Sequence, residues 1–497
     1  MKPSTLTTRL LAIAILTTRL PLVQAQEKPI VRKYAGGLNM TQTRSLTVMT
    51  KARLTTRSLN NLPEQVSYEQ FCPSVGDQGK QETSVAFATA YYLRTIMEGK
   101  ELNVTQQAKL DQARFSPTFI YDKIRDPKDK NCQGGGTIEE ALDVLKTAGV
   151  PRLKTLAYPL CSPSIPAAAA KEASQFRIGD YQQLFAEPTD PDQKVLAVKK
   201  ALAEGNPVVV GIGAPLSFEE ARAVWEPAPN EQVDDILYNQ AICVVGYNDK
   251  LHGGAFRIVN SWTSKWGEKG FCWIPYAHFG RFTHNAFQVY GGVKTSVAVT
   301  GGKAIQDGNR RGSAELKLND GTTMPIIKQQ ATRKLKVVSD ESAPNDITLY
   351  QLAQNYPTNT RFKFYLNNSE NAYVYALTTD EAGDFIKLFP FDELTSPLLG
   401  PNTTVAYPDE THSIVMEKRK SNDYLLILFS KRPLIIDALI KSLERKRGSL
   451  DKRLADILGD QLVRQDQVKY QTDQAAFEVK SGAPGNIVPL LIEFQYK

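Results

Sequence analysis

At 497 residues, 42% hydrophobic and 23% charged, the chain is too long for one ordinary domain and too apolar to be disordered throughout, so two or three packed domains are expected. Its formal charge of +7 includes Lys2, Arg9 and Arg19 near the N-terminus. Without them the chain is only mildly basic, and no nucleic-acid partner is expected.

The first of those cations precede an apolar run from Leu10 to Leu16, and Val23-Gln24-Ala25 puts small residues where a signal peptidase would cut. Residues 1–25 therefore read as a cleavable export signal, with Arg19 an unusual charge late in it. No cysteine precedes Cys72, which argues against a lipid anchor, and no later run approaches the roughly 18 apolar residues of a membrane span. A soluble, secreted or periplasmic chain without a transmembrane anchor is the expectation. From Gln26 to Asn61, seven Lys or Arg residues face one acid, Glu27, among many Thr and Ser without periodicity. A basic disordered arm over 26–61 is the simplest reading, and a surface-binding or inhibitory pro-segment is the alternative.

Five cysteines in an exported chain favour disulfides and leave at least one thiol unpaired. Cys243 and Cys272 lie in apolar strand-like runs and read as buried thiols. Cys72, Cys132 and Cys161 lie in loop-like sequence and allow three pairings, of which Cys132–Cys161 is preferred.

The stretch Val75–Ala88 reads V-G-D-Q-G-K-Q-E-T-S-V-A-F-A, and the segment from Ser84 to Met97 is apolar nearly all round. That pattern predicts a buried helix starting at Thr83 or Ser84. Thr137-Ile138-Glu139-Glu140 is a capping-box start for a helix that stops at Gly149. Gln193–Ala203 reads as helix and Pro207–Ile212 as a short buried strand. Runs around Ala241–Val245, Ala255–Val259 and Gly270–Pro275 read as antiparallel strands.

Two blocks carry a family resemblance. In the first, Asp77-Gln78-Gly79 and Ala86-Phe87 frame Gln81–Val85. In the second, Gln240-Ala-Ile-Cys-Val-Val-Gly-Tyr247 is followed by Phe256–Trp262 and Trp266–Phe271. Together they resemble the nucleophile loop and the downstream histidine and asparagine segments of the papain-like cysteine peptidase family, most similar to its exported bacterial branch. The resemblance runs from about Glu64 to Gly291, within a domain expected over 62–296. It implies an α+β, two-lobed fold, one lobe helical and one β-rich, with the site in the cleft between them.

The resemblance also implies places for residues. Ser84 takes the nucleophile's place, Gln240 that of the histidine, Asn260 that of the asparagine and Gln78 that of the oxyanion-hole glutamine. Gln81 stands where the family has a half-cystine, so that bridge cannot form, and Thr263 replaces a usual glycine. Cys132-Gln133-Gly134-Gly135 resembles the family's C-N-G-G, so Gly134 and Gly135 are expected to admit a peptide backbone. Trp262 and Trp266 correspond to tryptophans beside the site. The arm is short for the family's pro-region.

Those residue types bear on the chemistry. A thiolate forms readily at a helix N-terminus beside an imidazolium, whereas a serine hydroxyl needs a general base. Gln240 supplies an amide with no useful basicity, and Glu82 is the sole acid near Ser84 in sequence. Plainer roles stand beside these: Ser84 as a helix N-cap, Gln240 and Asn260 as inherited polar fillers, the tryptophans as packing. His252, His278, His284 and His412 include no pair with metal-ligand spacing, no CxxC occurs, and no metal or other cofactor is expected.

Residues 297–312, rich in Gly, Arg and Lys, read as a linker. Beyond it Arg361–Leu366, Asn371–Leu377, Tyr424–Phe429 and Ile487–Phe494 are strand-like, while Leu434–Glu444 and Leu450–Leu458 are helical. The span resembles an uncharacterised β-rich domain of bacterial multidomain proteins, so 313–497 is expected to be a β-rich α+β accessory domain, free to engage a protein partner. The expected function is an exported papain-fold pseudopeptidase that holds a peptide or protein segment in its cleft uncleaved. Its rivals are a weakly active serine-type hydrolase using Ser84, and a vestigial scaffold whose interaction module is the C-terminal domain.

Overall fold

A helix that is apolar on every side can only be stable at the centre of a domain. The computed structural model describes residues 32–40, 48–55, 62–161, 164–291, 310–329, 347–380, 384–417 and 422–495. It places that helix in the first domain's core, with an α-helical start at Ser84–Ala86, a π-helical middle at Phe87–Arg94 and an α-helical end at Thr95–Glu101. From Val85 to Leu93 no residue is more than 3% exposed. A second helix, Ile138–Thr147, has the expected capping box: Thr137 Oγ1 accepts from Glu140 N (3.2 Å) and Glu140 Oε2 from Thr137 N (3.3 Å). Gly149 then turns the chain at φ +79°, where a side chain is disfavoured. A third, Pro191–Ala203, starts on the side chain of Asp190.

These helices pack against an antiparallel sheet of β1 (Gln65–Ser67), β2 (Asp180–Ala186), β3 (Val208–Ala214), β4 (Tyr238–Asn248), β5 (Ala255–Val259), β6 (Phe271–Pro275) and β7 (Thr283–Tyr290). The order is β2-β7-β3-β4-β5-β6, with β1 on β4. Helices and sheet share one core that includes Phe87, Phe119, Leu142, Val209, Ile242 and Phe287, and the domain is α+β as expected. Cys132 and Cys161 are bonded. Cys72, Cys243 and Cys272 are buried thiols, and burial pushes all three above the usual thiol range, away from reactivity.

Among the described residues, the C-terminal domain is built on two seven-stranded sheets. Alternation sorts the central strands' side chains: Val374, Ala376, Leu425, Ile427 and Phe429 enter the core between the sheets, while Tyr375, Leu377, Leu426 and Leu428 meet the helices Ile436–Arg445 and Leu450–Leu458. A sheet covered on both faces reads as an unbroken apolar run, as Tyr424–Phe429 does. The linker expected over 297–312 is corrected at its end. Arg310-Arg311-Gly312 already belong to the strand Arg310–Leu318, where a Cβ on Gly312 would meet the Phe477 ring at 2.6 Å. Residues 292–309 lie outside the described residues.

The arm is also corrected where it is described. Tyr34–Asn39 lies in the cleft, and Val48–Thr55 runs between the domains, all within the compact unit Tyr34–Lys497. Lys51 N donates to Gln183 O (2.9 Å), Thr50 N to Leu394 O (2.7 Å), Ser396 N to Thr50 O (2.8 Å) and Thr55 N to Thr404 O (3.2 Å). Lys51 Nζ bonds Glu204 Oε2 (2.6 Å) and Gln288 Oε1 (2.8 Å), with only 8% of the Lys51 side chain and 1% of Glu204 exposed. Composition suggested disorder because the partners of these backbone groups lie far away in sequence. Residues 26–31, 41–47 and 56–61, and the expected signal over 1–25, lie outside the described residues. No helix among the described residues is long and apolar enough to cross a membrane.

Candidate functional site

Two loops are stitched together to make the site. Gln78 N donates to Ser261 O (3.0 Å) and Thr263 N to Gly76 O (3.2 Å). Tyr92, on the central helix, links both: its hydroxyl accepts from Gly76 N (2.9 Å) and donates to Asn260 O (2.9 Å). The helix start thereby meets the end of β5, while β4 carries Gln240 in register opposite Ile212 of β3.

The structure brings Ser84, Gln240, Asn260 and Gln78 into one buried cluster, each at most 1% exposed. Ser84 is not the helix cap; Thr83 holds that position, and Ser84 Oγ accepts from Ala241 N of β4 (3.2 Å). Gln240 Nε2 donates to Asn260 Oδ1 (2.8 Å) and to Gln78 Oε1 (3.2 Å), which also accepts from Ser261 Oγ (2.6 Å). This is a network of neutral amides and a hydroxyl, with no group able to take a proton from Ser84 near neutral pH. It is also imperfect: Gln240 Oε1 and Asn260 Nδ2 are buried without a hydrogen-bond partner, at a cost of roughly 1–3 kcal/mol each.

The cleft above this cluster is filled by Tyr34–Asn39. The Gly36 carbonyl accepts from Gln78 Nε2 (2.6 Å), the side chain expected to hold an oxyanion, and from Ser84 N (3.2 Å). Ala35 O accepts from Trp262 Nε1 (2.8 Å), and the Tyr34 ring stacks on Trp262 with centroids 4.5 Å apart and planes 4° from parallel. Leu38 N donates to Asn239 O (3.1 Å), Asn39 N to Gly136 O (2.8 Å) and Gly136 N to Gly37 O (3.0 Å). Leu38 pairs with Gly136 in a parallel bridge, and its side chain joins the domain core at 6% exposure.

Gly135, at φ +67°, lies against the backbone of this Tyr34–Asn39 strap, since a Cβ there would lie 2.8 Å from Gly37 O. Gly134 does not; its N–H donates to Asp129 Oδ2 (3.1 Å) on an exposed loop. Trp262 touches the strap, and Trp266 supports Trp262 edge-on at 5.9 Å while donating to Phe218 O (2.8 Å). Sequence reasoning missed Tyr34–Leu38, Gly136, Asn239 and Ser261. The one local signal was the Gly36-Gly37 pair shortly after Tyr34 in an arm rich in Thr, Ser and basic residues.

Thr263, in the family's glycine position, has φ +70°, a conformation that costs a non-glycine residue roughly 1–2 kcal/mol. Thr263→Gly is expected to raise stability by about 0.5–1 kcal/mol, the gain trimmed by the looser unfolded chain and by loss of the Lys265 N to Thr263 Oγ1 bond (3.1 Å). Urea unfolding measures it, and a destabilised glycine variant would contradict the strain.

Residues 62–289 match the family model described as papain family cysteine protease, and residues 355–433 match a domain of unknown function, DUF4384. The first domain is thus a papain-family C1 peptidase domain. An uncharacterized peptidase C1-like protein of Acanthamoeba polyphaga mimivirus is 29% identical over 116 residues, 23% of this chain and 37% of the relative. The match therefore spans little more than a third of that curated relative's length. Among solved structures, xylellain, a cysteine protease from Xylella fastidiosa, is similar at TM-score 0.43 and 22% identity, covering 52% of this chain and 96% of that one. A procathepsin B from Trypanosoma congolense is similar at TM-score 0.40 and 18% identity, over 52% and 87% of the two chains.

Proposed function

We propose that this chain is an exported, non-hydrolysing papain-fold protein whose cleft holds an extended peptide segment, and that Tyr34–Asn39 is the segment it holds. The observation that carries this reading is the Gln240–Asn260 amide pair behind Ser84. Hydroxyl attack on a peptide needs a base to remove the proton and a donor to return it to the leaving amine, and an amide does neither. Gln78 and Ser84 N keep their donors, yet these now bind a ground-state carbonyl, that of Gly36. The Cys132–Cys161 disulfide supports export, together with the signal read in residues 1–25.

Purified protein is expected to hydrolyse fluorogenic peptides no faster than its Ser84→Ala variant. A thiol-directed epoxide should leave Cys72, Cys243 and Cys272 unlabelled, because all three are buried. Turnover that Ser84→Ala abolishes would replace this reading with the serine-type hydrolase.

A second reading, an interaction module in the C-terminal domain, is favoured by one feature there. A cavity of about 370 Å³ opens among Phe362, Phe364, Leu388, Met416, Glu417 and Asp423, a mixed apolar and acidic recess of the size small ligands use.

A further inference from the structure

The strap is held mostly through its backbone, yet the cleft is far from indifferent to sequence. A Cβ on Gly36 would lie 2.9 Å from Asn239 O and 3.0 Å from Glu82 Oε2. The carboxylate can swing aside. The Asn239 carbonyl cannot, because β4 is fixed there by its pairing with Gly213 of β3. Gly37 is tighter still: at φ +136° its Cβ would fall 2.5 Å from Glu82 C and 2.6 Å from Ser84 N, all backbone. The receiving side is pared down in the same way. A Cβ on Gly135 would strike Gly37 O at 2.8 Å, and one on Gly211 would strike first the domain's own Asn285 Oδ1 and then Leu38 Cδ2 at 2.7 Å. Apolar anchors flank the two glycines, Tyr34 stacked on Trp262 and Leu38 in the core.

We propose that the cleft is a selective binding site for consecutive glycines, taking an extended peptide of the pattern aromatic, small, Gly, Gly, Leu. Tyr34–Leu38 is its resident copy, and the same pattern in another protein is its competing ligand. This rests on the reading of the cleft as a non-hydrolysing holder. Main-chain hydrogen bonds supply the affinity and the side-chain seats at either end supply selectivity, as in peptides that add to a sheet edge. Tethering gives the resident segment an effective concentration in the millimolar range, so an added peptide is excluded while the strap is seated.

The test uses the full chain carrying Gly36→Trp, whose own strap cannot seat, with Gly37→Val as a second ejecting variant. Cooperative melting reports that each is folded. A fluorescent heptapeptide spanning Tyr34–Met40 is titrated by anisotropy beside versions with alanine in place of Gly36 or Gly37. Both variants should bind the native heptapeptide, and either alanine version should bind at least roughly tenfold more weakly. The wild-type chain should bind none of them at micromolar concentration. Equal affinity for the alanine peptides would overturn the diglycine selectivity, and failure of both folded variants to bind the native peptide would overturn the site altogether. Mass spectrometry of the peptide afterwards separates the two readings: cleaved product would count against the non-hydrolysing function while leaving the measured selectivity in force.

Discussion

Lys51→Met is expected to cost about 3–5 kcal/mol of stability, the range for removing one partner of a buried ion pair. The change leaves the Glu204 carboxylate, 1% exposed, without its nearest cation. Gln288 Nε2 (2.7 Å), Thr403 Oγ1 (3.2 Å) and Lys200 Nζ (3.5 Å) remain, which places the loss toward the lower end. Because Lys51 lies between Gln183 of the first domain and the Leu394–Ser396 stretch of the second, the damage should fall on the junction of the domains. Urea unfolding at pH 7 measures it, and a loss below about 1 kcal/mol would mean that the pair is worth no more than an exposed one.

The same pair sets an acid limit. Burial alone would raise the Glu204 carboxyl, but the Lys51 charge and hydrogen bond, the Gln288 bond and the Lys200 charge together hold it below the usual carboxylate range. A carboxyl depressed on folding contributes fully above its unfolded value, about pH 4.3 for glutamate, and the contribution is lost as pH falls through the lower folded value. Wild-type stability should therefore drop from about pH 4 downward. The double variant Lys51→Met with Glu204→Gln, which has no carboxylate left to titrate there, should recover part of the loss at pH 7 and show a shallower acid slope. An unchanged slope would show that the acid sensitivity resides in other carboxyls.

Ser84→Cys combined with Gln240→His should restore the elements of a Cys-His-Asn site, with Asn260 to orient the imidazole and Gln78 to hold the oxyanion. With the strap seated, however, the Gly36 carbonyl occupies those donors, and the double variant is expected to stay silent. Adding Gly36→Trp to clear the cleft should expose epoxide labelling of the new thiol. Peptide hydrolysis should then exceed either single change in the same cleared background by on the order of 10²–10⁴-fold, the usual worth of a positioned acid–base group. The singles should stay near background because such residues act as a unit. Recovery should be incomplete, since Gln81 and Thr263 also depart from the family pattern. Reactivity of the double variant with its strap intact would refute the plug. A folded, cleared variant that neither labels nor cleaves would mean that the cleft has been remodelled.

Much of the fold was legible because its signals are local. The capping box at Thr137, the helical period of Leu450–Leu458 and the apolar strand Ile487–Phe494 each reside within a dozen residues, and each element is found there. The replacements at Ser84 and Gln240 were legible for the same reason, since a residue's identity at a motif position needs no coordinates. Which pair among Cys72, Cys132 and Cys161 would bond was open from the residues, and folding settled it by bringing Cys132 and Cys161 to a Cα separation of 5.9 Å.

Tertiary structure alone decided what the arm does and what Ser84 touches. Tyr34–Asn39 and Val48–Thr55 have no periodic apolar pattern of their own, and their order comes from partners supplied elsewhere, 42 residues on for Gly36 with Gln78 and 344 on for Thr50 with Leu394. Likewise the Ser84 hydroxyl was free to cap its own helix, until folding set β4 against the helix start and gave it the Ala241 amide instead. Hydrogen bonds between distant segments leave no trace in local composition, because each segment carries only half of the pair.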